Sequence, residues 1–382
     1  MKKKVLIVAS VISFIEWFNK ENLEYLNEKY EVHLAVNCDY MEDTNVERTV
    51  NYIDRIKEEG IIVHNIPFAR EPLSRDNICA YNALKSVIRS NDFALIHCHT
   101  PAASMLTRIA ARRARRHGTT VMYSCHGFHF HNSSPKKNWI LYYPIERFLS
   151  RFCDYIVVIN HEDYMRALTF HAPNVRYIPG VGVDINRILK TTVDKQSVKE
   201  SIGIPKDSIM LISIGELIER KNHEVIIRAL HEINDPNIYY VICGKGQLEN
   251  HLKKIAGSLG VSDNVIFLGF RQDIPELCCA ADIGAFPSKI EGLGLAGIEI
   301  MAAGIPLVSS NIHGILDYVT DGKTGYAIPP TDVSGFAKAI KRLADNPELR
   351  IKMRDNCIAA VQPFEISNAL RVMWDIYDEI LL

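Results

Sequence analysis

The stretch FPSKIEGLGLAGIEIMAAGIPLVSS, residues 286–310, places two carboxylates, Glu291 and Glu299, at the ends of a segment with three glycines and no other charge. It begins on the apolar run IGAFPS and closes on another, IPLVSS. Short apolar runs on either side of a helix-length segment read as strand, loop, helix and strand, the unit from which parallel sheets are built. The helix is expected to begin near Leu295 or Ala296. Gly292 and Gly294 let the loop backbone come close to a ligand, and the free N–H groups of a helix start suit a phosphate or a sugar hydroxyl. A carboxylate can accept two hydrogen bonds side by side, so Glu291 and Glu299 fit a sugar-type ligand held at two points. An ordinary strand-loop-helix turn, with Glu299 favoured by the helix dipole, reads the same residues.

Outward from this stretch the pattern repeats along the chain. KVLIVAS, EVHLAVN, IIVHNI, ALIHCH, TVMYSCHG, YIVVIN and VRYIPG are strand candidates of a first half; SIMLISIG, IYYVICGKG, NVIFLGF, DIGAFPS, IPLVSS and GYAIPP are those of a second. Amphipathic segments such as NICAYNALKSVIRSN and NHEVIIRALHEI lie between them. Strands alternating with helices predict an α/β fold of two Rossmann-like domains facing each other across a cleft. A Gly/Pro-rich junction, YIPGVGVDINRILK, predicts the boundary: residues 1–182, then 183–363, then a helix over 364–382 that returns to the first domain.

Composition narrows the function. The chain has 382 residues, enough for two cores, and a formal net charge of −1, which offers no field for nucleic acid. Nine scattered cysteines without a CxxC pair argue against a disulfide framework and for a reducing compartment. The opening MKKKVLIVASVISFIEWFNKE lacks a cleavage site and runs straight into charge, so it reads as a strand and helix. No apolar run reaches the roughly 18–20 residues of a membrane span, and a cytoplasmic protein is expected. RIAARRARRHG and NWILYYPIERFLSRF mix arginines with aromatic residues. They suit either a peripheral contact with the cytoplasmic membrane face or a solvated face over a core stripe.

The 286–310 stretch resembles the E-x7-E signature of the retaining glycosyltransferases of family 4, which have the GT-B fold. SIGELIERKNHEVIIRAL, VICGKGQLENHLKKIAGSLG, NVIFLGFRQDIPELCCAADIGAFPS and GILDYVTDGKTGYAIPP resemble other segments of that family in the expected order, and LIHCHTPAAS and YSCHGFHFH resemble its acceptor-side loops. HGFHF…NWILYYPIE and IPGVGVD are closest to bacterial capsule and exopolysaccharide transferases. The resemblance implies that Glu299 binds the ribose, that Glu291 lies by the donor sugar, and that Gly292, Leu293, Gly294 and Leu295 offer backbone N–H groups. Lys221 would neutralise the diphosphate; Arg220, Gly244 and Arg271 complete the donor side. His126 would face the reaction centre, with Gly127, His129 and His99 on the acceptor side. His126, Glu291 and Lys221 are the expected catalytic residues.

The family usually carries an arginine after the strand glycine, where this chain has Glu216, counted here among the donor-side residues. No DxD occurs, and the histidine pairs lack a completing ligand set, so no metal and no cofactor are expected. The implied activity moves a sugar, an N-acetylhexosamine by resemblance, from a nucleotide-sugar donor, a UDP-sugar in particular, to a lipid-diphosphate-linked glycan. A nucleotide-sugar 2-epimerase of the same fold and a non-catalytic glycan-binding scaffold are the alternatives.

Overall fold

The computed structural model describes residues 2–39, 46–69 and 74–382. They form two compact units: residues up to Val181 together with Ser367–Leu382, and Gly182–Ile366.

The first unit contains β1 (Lys4–Val11), β2 (Glu31–Asn37), β3 (Ile62–Asn65), β4 (Phe93–Cys98), β5 (Thr120–Cys125), β6 (Tyr155–Val158) and β7 (Asn174–Tyr177). They make one parallel sheet in the order β3-β2-β1-β4-β5-β6-β7. Val5 to Ala9 of β1 are fully buried, whereas β3 and β7 at the edges are half exposed. Helices cover both faces of a parallel sheet, so central strands must be apolar on both sides. The register pairs Val5 with Val32 and with Leu95.

The second unit repeats the plan with β8 (Ile209–Ile214), β9 (Ile238–Cys243), β10 (Val265–Gly269), β11 (Ile283–Phe286), β12 (Leu307–Ser310) and β13 (Gly325–Ile328), ordered β10-β9-β8-β11-β12-β13. In each sheet the chain runs outward from one central strand and then outward the other way. The reversal falls between β1 and β4 and between β8 and β11. Such a switch point opens a crevice at the carboxyl ends of the strands, where ligands of α/β sheets bind.

The chain passes between the units twice, and the two passages lie side by side in the second unit. Val183 N–H donates to the Phe364 carbonyl (2.9 Å), and Ile366 N–H donates to the Val183 carbonyl (3.0 Å). The Glu365 carboxylate accepts from Ile185 N–H (2.9 Å). Gly182 has φ +86°, and a Cβ there would stand 2.4 Å from the Ile366 Cα. The helix Ile366–Leu381 then packs on the first unit. Tyr377 hydroxyl is 2.9 Å from His97 Nδ1, Trp374 stacks on Tyr25 at 4.5 Å between ring centres, and Tyr25 hydroxyl donates to Asp378 (2.7 Å).

One expectation needs correcting. The arginines of RIAARRARRHG are not one solvated or membrane-facing face. Arg108 is fully buried on the helix Pro101–Ala110, pairs with Glu146 at 2.8 Å and lies over the Tyr123 ring. Arg115 pairs with Asp154. A charge this deep is stable only with its partner, because breaking a buried pair strands the remaining ion at a cost of about 3–5 kcal/mol. Glu146→Ala is therefore expected to lower unfolding free energy by that order, and the double change Arg108→Met with Glu146→Leu by less. Denaturant titration of both variants measures the difference; equal losses would contradict a stranded charge.

Candidate functional site

The geometry at the β8/β11 switch point is set by two loops sewn together. After β8 the chain passes Gly215 to Ile218, makes a short 3-10 turn over Glu219–Lys221, and enters the helix His223–Ile233 through Asn222. Asn222 sits in the left-handed region (φ 57°), which asparagine tolerates better than most residues. Its amide donates to the carbonyls of Pro287 (3.0 Å) and Pro330 (2.9 Å). Lys289 N–H donates to the Arg220 carbonyl (2.8 Å). The loop after β11 is thus fixed against the loop after β8, and their charged side chains meet.

Glu291 is the meeting point, with 7 % of its surface exposed. Its Oε1 accepts from Lys221 Nζ (2.5 Å), Ser288 Oγ (3.0 Å) and Arg220 Nη1 (3.2 Å). Every one of these bonds goes to Oε1; Oε2 has no partner among the described residues and can accept from a bound hydroxyl. His313 Nδ1 donates to the Glu291 carbonyl (2.7 Å). Arg220 also reaches Glu216, 3.6 Å away, whose side chain is largely exposed. Sequence reasoning placed Glu291, Lys221, Arg220 and Glu216 here but missed Ser288, Asn222 and His313. The adjoining NIHG, with a histidine beside a glycine, was the available signal.

The helix after this loop runs Leu295–Ala302, and its first N–H groups have no intrahelical acceptor. Gly292, Leu293 and Gly294 form the approach to it. The glycines have a local reason besides approach to a ligand. Gly294 has φ +86°, and a Cβ on it would stand 2.5 Å from the Phe286 ring. A Cβ on Gly297 would meet the Tyr318 hydroxyl at 2.5 Å, and that hydroxyl donates to the Gly294 carbonyl (3.1 Å). Gly244 likewise is a packing residue, since a Cβ there would lie 1.9 Å from the Gly215 carbonyl oxygen. Arg271, beyond β10, pairs with Asp273 through Nε and Oδ1 at 2.7 Å.

Glu299 lies on the second turn of this helix and makes no hydrogen bond among the described residues. Burial raises its carboxyl to about 6, with Arg187 opposing the shift. A partly buried carboxylate without hydrogen bonds is a poor arrangement for stability and a ready acceptor for a pair of ligand hydroxyls.

In the first unit the histidines collect beside the β1/β4 switch point. His97, buried in β4, is held by Tyr377 and by Ser124 Oγ (2.8 Å), and burial lowers it to about 3. His99 is buried as well; its Nδ1 is 3.3 Å from His126 Nε2, and its own Nε2 has no partner among the described residues. His126 is half buried, packs on Phe14 and is lowered to about 4 by burial, so it is neutral at pH 7. His129 is exposed and faces Tyr142. Thr100 has φ 61°, a strained conformation for a β-branched residue. Ser10 holds it, its N–H donating to Thr100 Oγ1 (3.0 Å) and the two hydroxyls lying 2.7 Å apart. Beside them opens a groove of about 940 Å³, with Gly127 and His129 in its wall.

Residues 194–360 match the family described as glycosyl transferases group 1, and residues 15–187 match glycosyltransferase family 4. EpsD of Bacillus subtilis (strain 168), a glycosyltransferase by name, is 34 % identical over 99 % of this chain and 97 % of its own. The Escherichia coli UDP-Gal:alpha-D-GlcNAc-diphosphoundecaprenol alpha-1,3-galactosyltransferase is 27 % identical over 78 % of this chain and 79 % of its own. HepE of Anabaena, crystallised with UDP and glucose, shares the fold with a TM-score of 0.78 at 20 % identity, covering 99 % of this chain and all of that one.

Glu299 gives a pH-dependent prediction. Its folded value, about 6, stands above the unfolded 4.5. The folded state therefore binds the proton more tightly, and stability falls as pH rises from 4.5 through 6. Above that range the penalty is constant, on the order of 1–2 kcal/mol. Glu299→Gln should raise the unliganded melting temperature at pH 7.5 and leave it unchanged near pH 4. A variant no more stable than the parent at pH 7.5 would contradict this.

Proposed function

The chain belongs to the family 4 glycosyltransferases, and on that premise we propose that it moves a hexosyl or N-acetylhexosaminyl group from a UDP-sugar to a diphosphate-lipid-linked glycan, with retention at the anomeric carbon. The observation that carries this is the Glu291–Lys221–Arg220 cluster with Glu299 nearby, at the β8/β11 switch point and inside the segment matched to glycosyl transferases group 1. UDP as the donor nucleotide is supported by the HepE complex, and a lipid-diphosphate acceptor by the E. coli relative.

The chemistry follows from the groups available. The bond between the anomeric carbon and the diphosphate oxygen breaks, and negative charge grows on the leaving diphosphate. Stabilising that charge is the main catalytic task. Lys221, Arg220 and the N–H groups of Gly292 to Leu295 do this; in the unliganded protein Glu291 holds the two cations in place. The free Oε2 of Glu291 accepts from a sugar hydroxyl, and Glu299 accepts from the ribose diol. His126 of the first unit is neutral at pH 7 and can exchange a hydrogen bond with a sugar hydroxyl. The acceptor hydroxyl attacks on the face the diphosphate leaves, and its proton passes to a donor phosphate oxygen. No base on the protein and no metal ion is required.

The exposed apolar side chains Ile140, Leu141 and Phe148 of the helix Lys136–Leu149, together with Arg147 and Arg151, support a peripheral contact with an anionic bilayer. No described helix is long and apolar enough to cross one.

Donor hydrolysis and transfer assays across UDP-, GDP- and ADP-sugars test the reading, and no turnover with any of them would overturn it. Lys221→Ala is expected to cut kcat, measured on the folded protein, about 100-fold or more, in line with loss of one charge-stabilising donor, and to lower the melting temperature as well, because the buried Glu291 loses its shortest pairing. EDTA is expected to leave the rate unchanged.

A further inference from the structure

The groove of the first unit has walls of a kind that a glycan does not need. Three helices enclose it: Ile12–Phe18 gives Phe14, Trp17 and Phe18; Pro101–Ala110 gives Ala102 and Met105; and Lys136–Leu149 gives Leu141, Tyr142 and Ile145. Phe128 and Phe130 also line it. At about 940 Å³ it stands at the upper end of the roughly 300–1,000 Å³ of small-molecule sites. Glu146 is its one acidic lining residue, and Arg108 neutralises it. A charged or heavily hydroxylated ligand would leave polar groups unmatched along these walls.

The groove's rim is apolar and its surroundings are cationic. Trp17 is 51 % exposed and Leu141 49 %, and Ile140, one residue away, is 79 % exposed. Contiguous exposure of this kind marks a binding surface. Lys136 and Lys137 begin the same helix, and Arg147 follows the lining residues Ile145 and Glu146. Arg112 lies over Phe152, which packs against Phe148. None of these four cations pairs with a carboxylate among the described residues. An apolar trough whose wall helix begins on two cations without a carboxylate partner among the described residues is complementary to an amphiphile with a long apolar tail and an anionic head.

We propose that this groove binds the head-proximal part of the acceptor's lipid chain, a branched polyprenyl chain, with the adjoining diphosphate at the Lys136/Lys137 end of the wall helix. The proposal rests on the lipid-linked acceptor read above and goes beyond it, because it makes the lipid itself a recognised part of the substrate. The protein would then select its acceptor by tail length as well as by sugar.

Binding is measured directly, without turnover, by calorimetric titration of the full-length protein with farnesyl diphosphate, dimethylallyl diphosphate and inorganic pyrophosphate. Farnesyl diphosphate should bind at least tenfold more tightly than dimethylallyl diphosphate, with a negative heat-capacity change from apolar burial. Met105→Trp, which fills the trough, and Ile145→Glu, which charges its wall, should each weaken farnesyl diphosphate at least tenfold and dimethylallyl diphosphate less than threefold. Both side chains are partly exposed, so melting temperatures serve as the folding control. Equal affinity for the two prenyl diphosphates, or farnesyl diphosphate binding untouched by both substitutions, would overturn the proposal. Absence of sugar transfer with every donor would instead overturn the functional reading and leave this binding result standing.

Discussion

A carboxylate almost removed from water keeps its charge only if other charges and donors surround it. Glu291 is in that position, and its partners come from two separate segments: Lys221 and Arg220 after β8, Ser288 after β11. With Glu291 buried and its carboxyl oxygen bonded to both segments, the two loops close on it. That closure puts two cations and a helix start around one point at the carboxyl ends of the central strands. The left-handed Asn222, the His313 bond to the Glu291 backbone, and the Tyr318 hydroxyl on Gly294 fix the surrounding main chain. The arrangement stands in the unliganded protein, as charge stabilisation in the proposed transfer would require.

The same topology serves both units in different chemical dress. Each sheet reverses its winding beside a central strand, and each reversal leaves a crevice. In the second unit the crevice is lined with charge and backbone donors. In the first it holds neutral histidines, the Ser10–Thr100 clasp and an apolar groove. The side chains at the strand ends, and not the sheets, decide what each can hold.

Much of this was legible in the chain. All thirteen strands coincide with apolar runs, because a parallel sheet covered on both faces needs apolar residues on both sides of each central strand. The helix start at Leu295 was legible from the glycines before it. The fate of single polar residues was not. Arg108 looks like its neighbours in RIAARRARRHG, yet it is the one that faces Tyr123 and Glu146. Position on a helix decides this, and a run of arginines has no periodicity that singles one out. Gly244 and Gly294 suggested room for a ligand; their neighbours in space, the Gly215 carbonyl and the Phe286 ring, supply a packing reason.

The sequence by itself determined the α/β class, the two Rossmann-like units and the family, since these follow from patterns that recur locally along the chain. It also named the charged residues of the site. Only the tertiary structure decided how they are paired: that Lys221 and Arg220 share one oxygen of Glu291, and that Glu299 stands partly buried without a hydrogen bond among the described residues. It alone decided, too, that apolar residues from three helices line one trough. Pairing and burial depend on contacts between residues tens of positions apart, and no local pattern encodes which of several like charges or rings will meet.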